Sequence, residues 1–327
     1  MRILIIHTFG LGDMIMFTPA LQELMQRYPD AKIDFLIFQK FASYPILHSP
    51  RVNKIYHTSF KIREIIKSIV TLRKQKYDMS FVTSGTNPLK AGLFSFLVAA
   101  QERIGEYRKL KSPFFTKNIL YQENRHRVEN NLDLIGVSHT SFQPIYCLEN
   151  LHKRTKSTTV RIGFHIGSNR AFAKKRWSAE SFYILVMLLK KHYSNLEIFI
   201  FSGPDEEEES RKLAEQSSSK LCLNLPFDTM ALEIASCDMF INTDSGLGHI
   251  ASCFDVEIFT VFGPAKDYKA RPYTKKGHIV KLNLPCQPCY GTSDFNRCKH
   301  LKCLNELTPE MVFEQITKES KVLVHAK

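Results

Sequence analysis

Short apolar runs alternate with helix-period segments along both halves of the chain, and most runs end in a loop of glycine and small polar residues. That alternation constrains the fold more than any other feature. A strand can rejoin its neighbour in parallel only through a crossover, which is usually a helix, so the pattern predicts α/β folding on parallel sheets. In the first half it predicts strands over Arg2–His7, Lys32–Phe38 and Met79–Thr83, a basic helix over Ile62–Lys74 and a mostly buried helix over Lys90–Ala100. Helical periodicity also runs from the Gly10-Leu11-Gly12-Asp13 turn to Tyr28. Thr18-Pro19 predicts a break there, with threonine as cap and proline at the first position of a second helix. The polar, basic stretch from Leu148 to Ser157 reads as a linker, after which a second α/β pattern begins with the strand Val160–Ile166. A length of 327 residues suffices for two cores. The expected domains are 1–155 and 156–327, with the last helix, Pro309–Lys321, a candidate to pack back on the first domain.

The net charge of +13 is uneven. Residues 1–155 hold 22 of the 45 lysines and arginines but only 12 of the 32 acids, so nearly all the excess lies in the first half. That predicts an anionic partner or an anionic membrane surface meeting this half, against the plainer reading of a generally basic protein. The longest apolar run, Ala91 to Ala100, is about half of the ~20 residues a spanning helix needs. The run Ile3-Leu4-Ile5-Ile6 is too short for a secretory core. The expectation is a protein of the cytosol. The basic residues lack interleaved aromatic platforms, so no nucleic-acid partner is expected.

In open α/β sheets ligands bind outside the carboxyl ends of the strands, so the loops there carry the chemistry. In Thr8-Phe9-Gly10-Leu11-Gly12-Asp13, glycine permits a sharp strand-to-helix turn and Asp13 sits near a helix N-terminus. The helix dipole favours an ionised carboxylate there, either as a plain cap or as a general base toward a hydroxyl. The loop from Gly167 to Trp177 packs four cations around Ser168 and Lys175, a setting for a pyrophosphate or simply a solvated basic loop. Ser202-Gly203-Pro204-Asp205-Glu206 places Asp205 where it could meet sugar or ribose hydroxyls; the acids after it suit the helix dipole. The fourth loop, Asp244-Ser245-Gly246-Leu247-Gly248-His249, leads from a strand into a helix beginning near Gly246. Its unpaired amides suit phosphate oxygens, and His249 could donate to a phosphate or sugar oxygen or serve structure alone.

These segments, taken in order, resemble glycosyltransferase family 9, the ADP-heptose:lipopolysaccharide heptosyltransferases. The resemblance rests on Gly12-Asp13 with Thr18-Pro19-Ala20-Leu21, on Lys175-Arg176-Trp177, on Asp244 to His249, and on Phe262-Gly263-Pro264. It implies a GT-B fold of two Rossmann-like domains facing across a cleft, acceptor on the first and nucleotide donor on the second, and an inverting transfer that needs no cofactor. The donor would be ADP-heptose and the acceptor an anionic glycolipid at the cytoplasmic face of a membrane. Asp13 would be the base, Lys175 would contact donor phosphate, and Ser168, Asp205, Asp244, Ser245, Gly246 and His249 would line the donor pocket. His7 departs from the Lys or Arg common in the family after the first strand, and Ser178 from the proline usual after the tryptophan. Other readings stay open: a nucleotide-sugar epimerase of the same fold, a transferase of a different nucleotide sugar to another cell-surface glycan, or a basic binding module without catalysis.

Four of the eight cysteines are scattered in apolar surroundings. The others, Cys286, Cys289, Cys298 and Cys303, follow a Cys-x2-Cys-x8-Cys-x4-Cys spacing. That spacing could hold structural zinc or iron, or leave reduced thiols or a disulfide.

Overall fold

The computed structural model describes residues 1–149, 159–168 and 170–326. The stretch read as a linker lies, apart from its first two residues, outside them. The chain divides into two compact units, Met1–Glu149 and Asn150–Lys327.

The first unit has six parallel strands: β1 (Arg2–His7), β2 (Lys32–Ile37), β3 (Val52–His57), β4 (Met79–Val82), β5 (Glu102–Tyr107) and β6 (Lys117–Leu120), in the order β3-β2-β1-β4-β5-β6. Its helices are α1 (Leu11–Arg27), α2 (Ile62–Arg73), α3 (Pro88–Val98) and α4 (Arg127–Leu134). The central strands β1 and β2 are buried on both faces, which explains their apolar make-up; the exception, the buried Asp34 of β2, accepts from Arg2, Asn53 and Tyr77. The second unit repeats the plan with β7 (Val160–His165), β8 (Leu196–Ser202), β9 (Lys220–Leu223), β10 (Met239–Thr243), β11 (Glu257–Val261) and β12 (Gly277–Val280), in the order β12-β11-β10-β7-β8-β9. Its helices are α5 (Ala179–His192), α6 (Glu207–Gln216), α7 (Phe227–Ala235), α8 (Gly246–Ala251), α9 (Asp267–Ala270), α10 (Ser293–Arg297), α11 (Lys302–Asn305) and α12 (Pro309–Glu319). Counted within its own unit, each sheet runs 3-2-1-4-5-6, the Rossmann order. Strand order reverses between β1 and β4, and again between β7 and β10, so each unit opens a ligand crevice at the carboxyl ends of that strand pair.

The predicted break at Thr18-Pro19 is corrected: α1 is one helix with Pro19 inside it. Proline cannot donate to the Ile15 carbonyl four residues back, but the Thr18 hydroxyl does so at 2.7 Å. The lost bond is replaced locally and the helix continues. The helix expected to be mostly buried, α3, is buried on one side only; Leu89, Leu93, Phe96 and Leu97 are exposed. α12 packs against α5 of its own unit.

Candidate functional site

In the first unit hydrogen bonds tie together the ends of β1 and β4. The buried His7 ring faces the Thr83 hydroxyl through Nδ1 at 3.0 Å and the Gly10 carbonyl through Nε2 at 3.2 Å. A carbonyl only accepts, so Nε2 carries the hydrogen and Nδ1 accepts from Thr83. Burial pushes His7 below the usual histidine range, chiefly by desolvation, which keeps the ring neutral in that arrangement. His7 thereby shapes the turn that presents Asp13. The Thr8 and Thr86 hydroxyls are bonded at 2.9 Å across the same gap.

Asp13 does not cap α1. Gly10 occupies the cap position, with no side-chain cap, and Asp13 lies in the first turn. Its carboxylate accepts from Arg127 Nη1 at 2.7 Å, and both side chains are about a quarter exposed, 27% and 23%. Arg127 starts α4 and also reaches the Ser84 carbonyl at 3.4 Å. Gly85 has φ +94°, a conformation that favours glycine, and a Cβ there would stand 2.7 Å from Arg127 Nη1. Behind it the buried Glu106 accepts from the Ser84 hydroxyl at 2.9 Å and from the Gly85 amide. Burial raises the Glu106 carboxyl above its ordinary range against those bonds. Asn131 on α4 accepts from the Ser84 amide at 2.9 Å and donates to the Met16 carbonyl at 3.2 Å, tying α4 to α1 and to the turn after β4.

In the second unit the loops after β7 and β10 bring together most of the residues expected above to line a donor pocket. Lys175 Nζ meets Asp244 Oδ2 at 2.7 Å, each side chain 12% exposed, and lies 4.8 Å from the Tyr290 ring centre. Ser245 precedes α8, and its hydroxyl lies 2.9 Å from His165 Nδ1. His165 Nε2 lies 3.1 Å from Glu206 Oε1, with both side chains buried. Burial alone would raise the Glu206 carboxyl, but its bonds to His165 and the Gly203 amide and the nearby Arg176 outweigh that and hold it below the usual carboxylate range. An ionised carboxylate only accepts, so His165 Nε2 donates to it and Nδ1 faces the serine. A Cβ on Gly167 would fall 2.0 Å from the Glu206 carboxyl carbon, so glycine is what admits this carboxylate. Ser168 is buried and receives Arg176 at both its hydroxyl (3.3 Å) and its carbonyl. The Thr243 hydroxyl donates to the Gly167 carbonyl at 3.0 Å, joining the two loops across the reversal.

Asp205 lies to one side, on a pocket of about 670 Å³ shared with Arg176, Pro204 and Glu206. Gly246 begins α8, and His249 on that helix is buried. The only tryptophan, Trp177, anchors the basic loop: it is buried against Phe182 and donates to the Leu307 carbonyl at 2.9 Å. Sequence reasoning passed over Arg127, Glu106, His165 and Glu206. His165 lay inside a predicted strand and Glu206 in an acidic run, so neither carried a motif. Arg127 is 114 residues from its partner Asp13.

The spacing of Cys286, Cys289, Cys298 and Cys303 raised a structural metal. Among the described residues no three histidine, cysteine or carboxylate side chains are placed to hold one, and all four cysteines are free thiols. Cys303 is buried against the core by α11, while Cys286 is exposed. Burial, with the neighbouring thiols adding to it, pushes Cys303 up to about 11, so it stays protonated near neutral pH.

The model of glycosyltransferase family 9 (heptosyltransferase) matches residues 65–300. The chain is similar to lipooligosaccharide heptosyltransferase 2 of Campylobacter jejuni, 28% identical over 334 residues that cover 96% of this chain and 97% of the relative. The structure of Escherichia coli ADP-heptose lps heptosyltransferase II superposes with a TM-score of 0.76 at 21% identity, over 97% of this chain and 98% of that one. E. coli heptosyltransferase WaaC with ADP gives a TM-score of 0.75 at 21% identity, over 98% and 100%. At these identities the solved structures speak for the α/β, GT-B fold, and the family model carries the assignment: the chain belongs to glycosyltransferase family 9.

Proposed function

We propose that this glycosyltransferase moves a heptose from ADP-heptose to a sugar hydroxyl of a lipopolysaccharide inner core, with inversion at the anomeric carbon. The observation that carries the reading is the cluster at the second strand reversal, where Lys175, Asp244, Ser245 and Ser168 meet around one loop pair. Relatives named as heptosyltransferases, one of them solved with ADP, support the choice of donor.

In this mechanism the acceptor hydroxyl loses its proton to Asp13 as its oxygen attacks the anomeric carbon. The carbon–oxygen bond to the diphosphate breaks, and the diphosphate leaves with the electron pair. Arg127 holds Asp13 oriented through a charge-assisted bond. Lys175 and the amides from Ser245 to Gly248 take up the charge that develops on the diphosphate. Asp205 and His249 serve the ribose and sugar hydroxyls. The acceptor is a glycolipid, so the reaction belongs at the cytoplasmic surface of a membrane; among the described residues no helix is long and apolar enough to cross one.

The test is transfer from ADP-heptose to lipopolysaccharide lacking its heptoses, with product mass by mass spectrometry and anomeric configuration by NMR. A product of retained configuration would remove the single-displacement role of Asp13. Conversion of the nucleotide sugar without acceptor would identify an epimerase instead, and transfer only from another nucleotide sugar would replace the donor.

A further inference from the structure

Outside the two crevices, the strongest unexplained feature is one face of the first unit. Helices α2 and α3 pack side by side over the core. Ile65, Ile69 and Leu72 of α2 and Ala91, Phe94 and Val98 of α3 point inward. The outward side of α3 should then be polar. It is instead Leu89, Leu93, Phe96 and Leu97, all exposed, with Lys90 the charged residue among them. A helix that is apolar on both faces belongs in a core or against a membrane.

The neighbouring helix extends the same surface. Ile62, Ile66 and Val70 recur every fourth residue along one exposed flank of α2, with Ile62 76% exposed. At 100° per residue, Arg63, Lys67 and Lys74 form the next row round, all exposed, and Glu64 is the helix's acid. Phe60, exposed just before α2, rests its ring 4.8 Å from that of Phe38. On the other side of α3 the loop after β5 lies against Gly92, where a Cβ would touch Ser112 and Phe114, and the Phe96 and Phe114 rings are 5.8 Å apart. That loop carries Leu110, 81% exposed, between the exposed Lys109 and Lys111.

We propose that the α2–α3 face, with the Leu110 loop, docks the enzyme on an anionic phospholipid bilayer, the apolar residues entering the headgroup boundary and the flanking cations meeting lipid phosphates. Charge complementarity selects this occupant: the apolar patch is bordered by lysine and arginine on both sides, as in helices that lie in a membrane interface. A protein partner would not require cations in both borders, and scattered surface leucines would not form rows on two adjacent helices. The inference is read from exposure and charge, so it stands whichever nucleotide sugar is the donor.

The test is co-sedimentation of the full chain with vesicles of phosphatidylcholine containing about one quarter phosphatidylglycerol, against pure phosphatidylcholine. Wild type should partition to the anionic vesicles, and added salt should weaken binding. Arg63→Gln with Lys67→Gln should weaken partitioning by about fivefold per charge removed. Leu93→Ser with Leu97→Ser should weaken it by a similar or larger factor, on both vesicle types. Unchanged melting temperature and unchanged far-ultraviolet circular dichroism show that each variant is folded; a variant that fails either check is replaced by Ile66→Ser with Val70→Ser. Equal binding of wild type to both vesicle types, or variants that bind like wild type, would overturn the proposal. So would a wild-type dimer that the leucine variants dissolve, which would assign the face to a second copy of the chain.

Discussion

Replacing Glu206 by glutamine removes one charge from a closed set of partners. The carboxylate is buried, accepts from the Gly203 amide at 2.8 Å and from His165 Nε2 at 3.1 Å, and lies 3.6 Å from Arg176. Charge-assisted bonds contribute about 1.5–3 kcal/mol and neutral ones about 0.5–1.5, so weakening two of them costs roughly 2–3 kcal/mol. Leaving Arg176 less compensated adds to that. At about 2–4 °C per kcal/mol, Glu206→Gln should melt roughly 4–12 °C lower than wild type near neutral pH. The sign with pH follows from the lowered carboxyl. Its stabilisation is fully present above the unfolded value of 4.5 and is lost as pH falls through the lower folded value. The gap between wild type and variant should therefore hold from pH 8 to about 5 and close below about 4.5. Calorimetric melts across that range are the assay. A gap of under a degree, or one that persists undiminished in acid, would refute the reasoning. The same network predicts a coupling in function. If Ser245 bonds the donor diphosphate and His165 orients it, Ser245→Ala and His165→Gln should each weaken ADP binding by about tenfold or more. The double variant should be no worse than Ser245→Ala alone. Full additivity would mean that His165 does not act through the serine; unchanged binding in Ser245→Ala would remove the serine from the donor site altogether.

Three further outcomes follow from the geometry. Asp13→Asn should cut turnover by about 10²- to 10⁴-fold with ADP-heptose affinity little changed, measured by steady-state transfer and nucleotide titration; wild-type rates would exclude Asp13 as the base. Lys175→Ala should raise the donor KM and lower kcat together, whereas loss of a purely structural pair with Asp244 would lower stability and leave the ratio of the two unchanged. Gly167→Ala should force Glu206 out of place, reproducing the melting loss of Glu206→Gln; a variant as stable as wild type would show that the loop moves aside freely.

Much of the fold was legible because central parallel strands are buried on both faces and announce themselves as apolar runs: β1, β2, β4 and β7 all lie where the pattern predicts them. The edge strands β3, β6, β9 and β12 escaped, since one partner and partial exposure let polar residues in, as in Val52–His57. Pro19 misled because the rule for proline concerns the missing amide, and only the coordinates reveal that the Thr18 hydroxyl replaces it.

The order of motifs along the chain, from Gly12-Asp13 to Asp244-Ser245-Gly246, determined by itself the α/β class and the loops in which ligand chemistry could sit, because strand-end loops are local features. Which residues meet in those loops was decided only by tertiary structure. Arg127 on Asp13, Glu206 beneath His165 and Lys175 on Asp244 pair across 114, 41 and 69 positions. Such contacts are set by strand order and by where a missing Cβ leaves room, and neither quantity has a period that one-dimensional patterning can display.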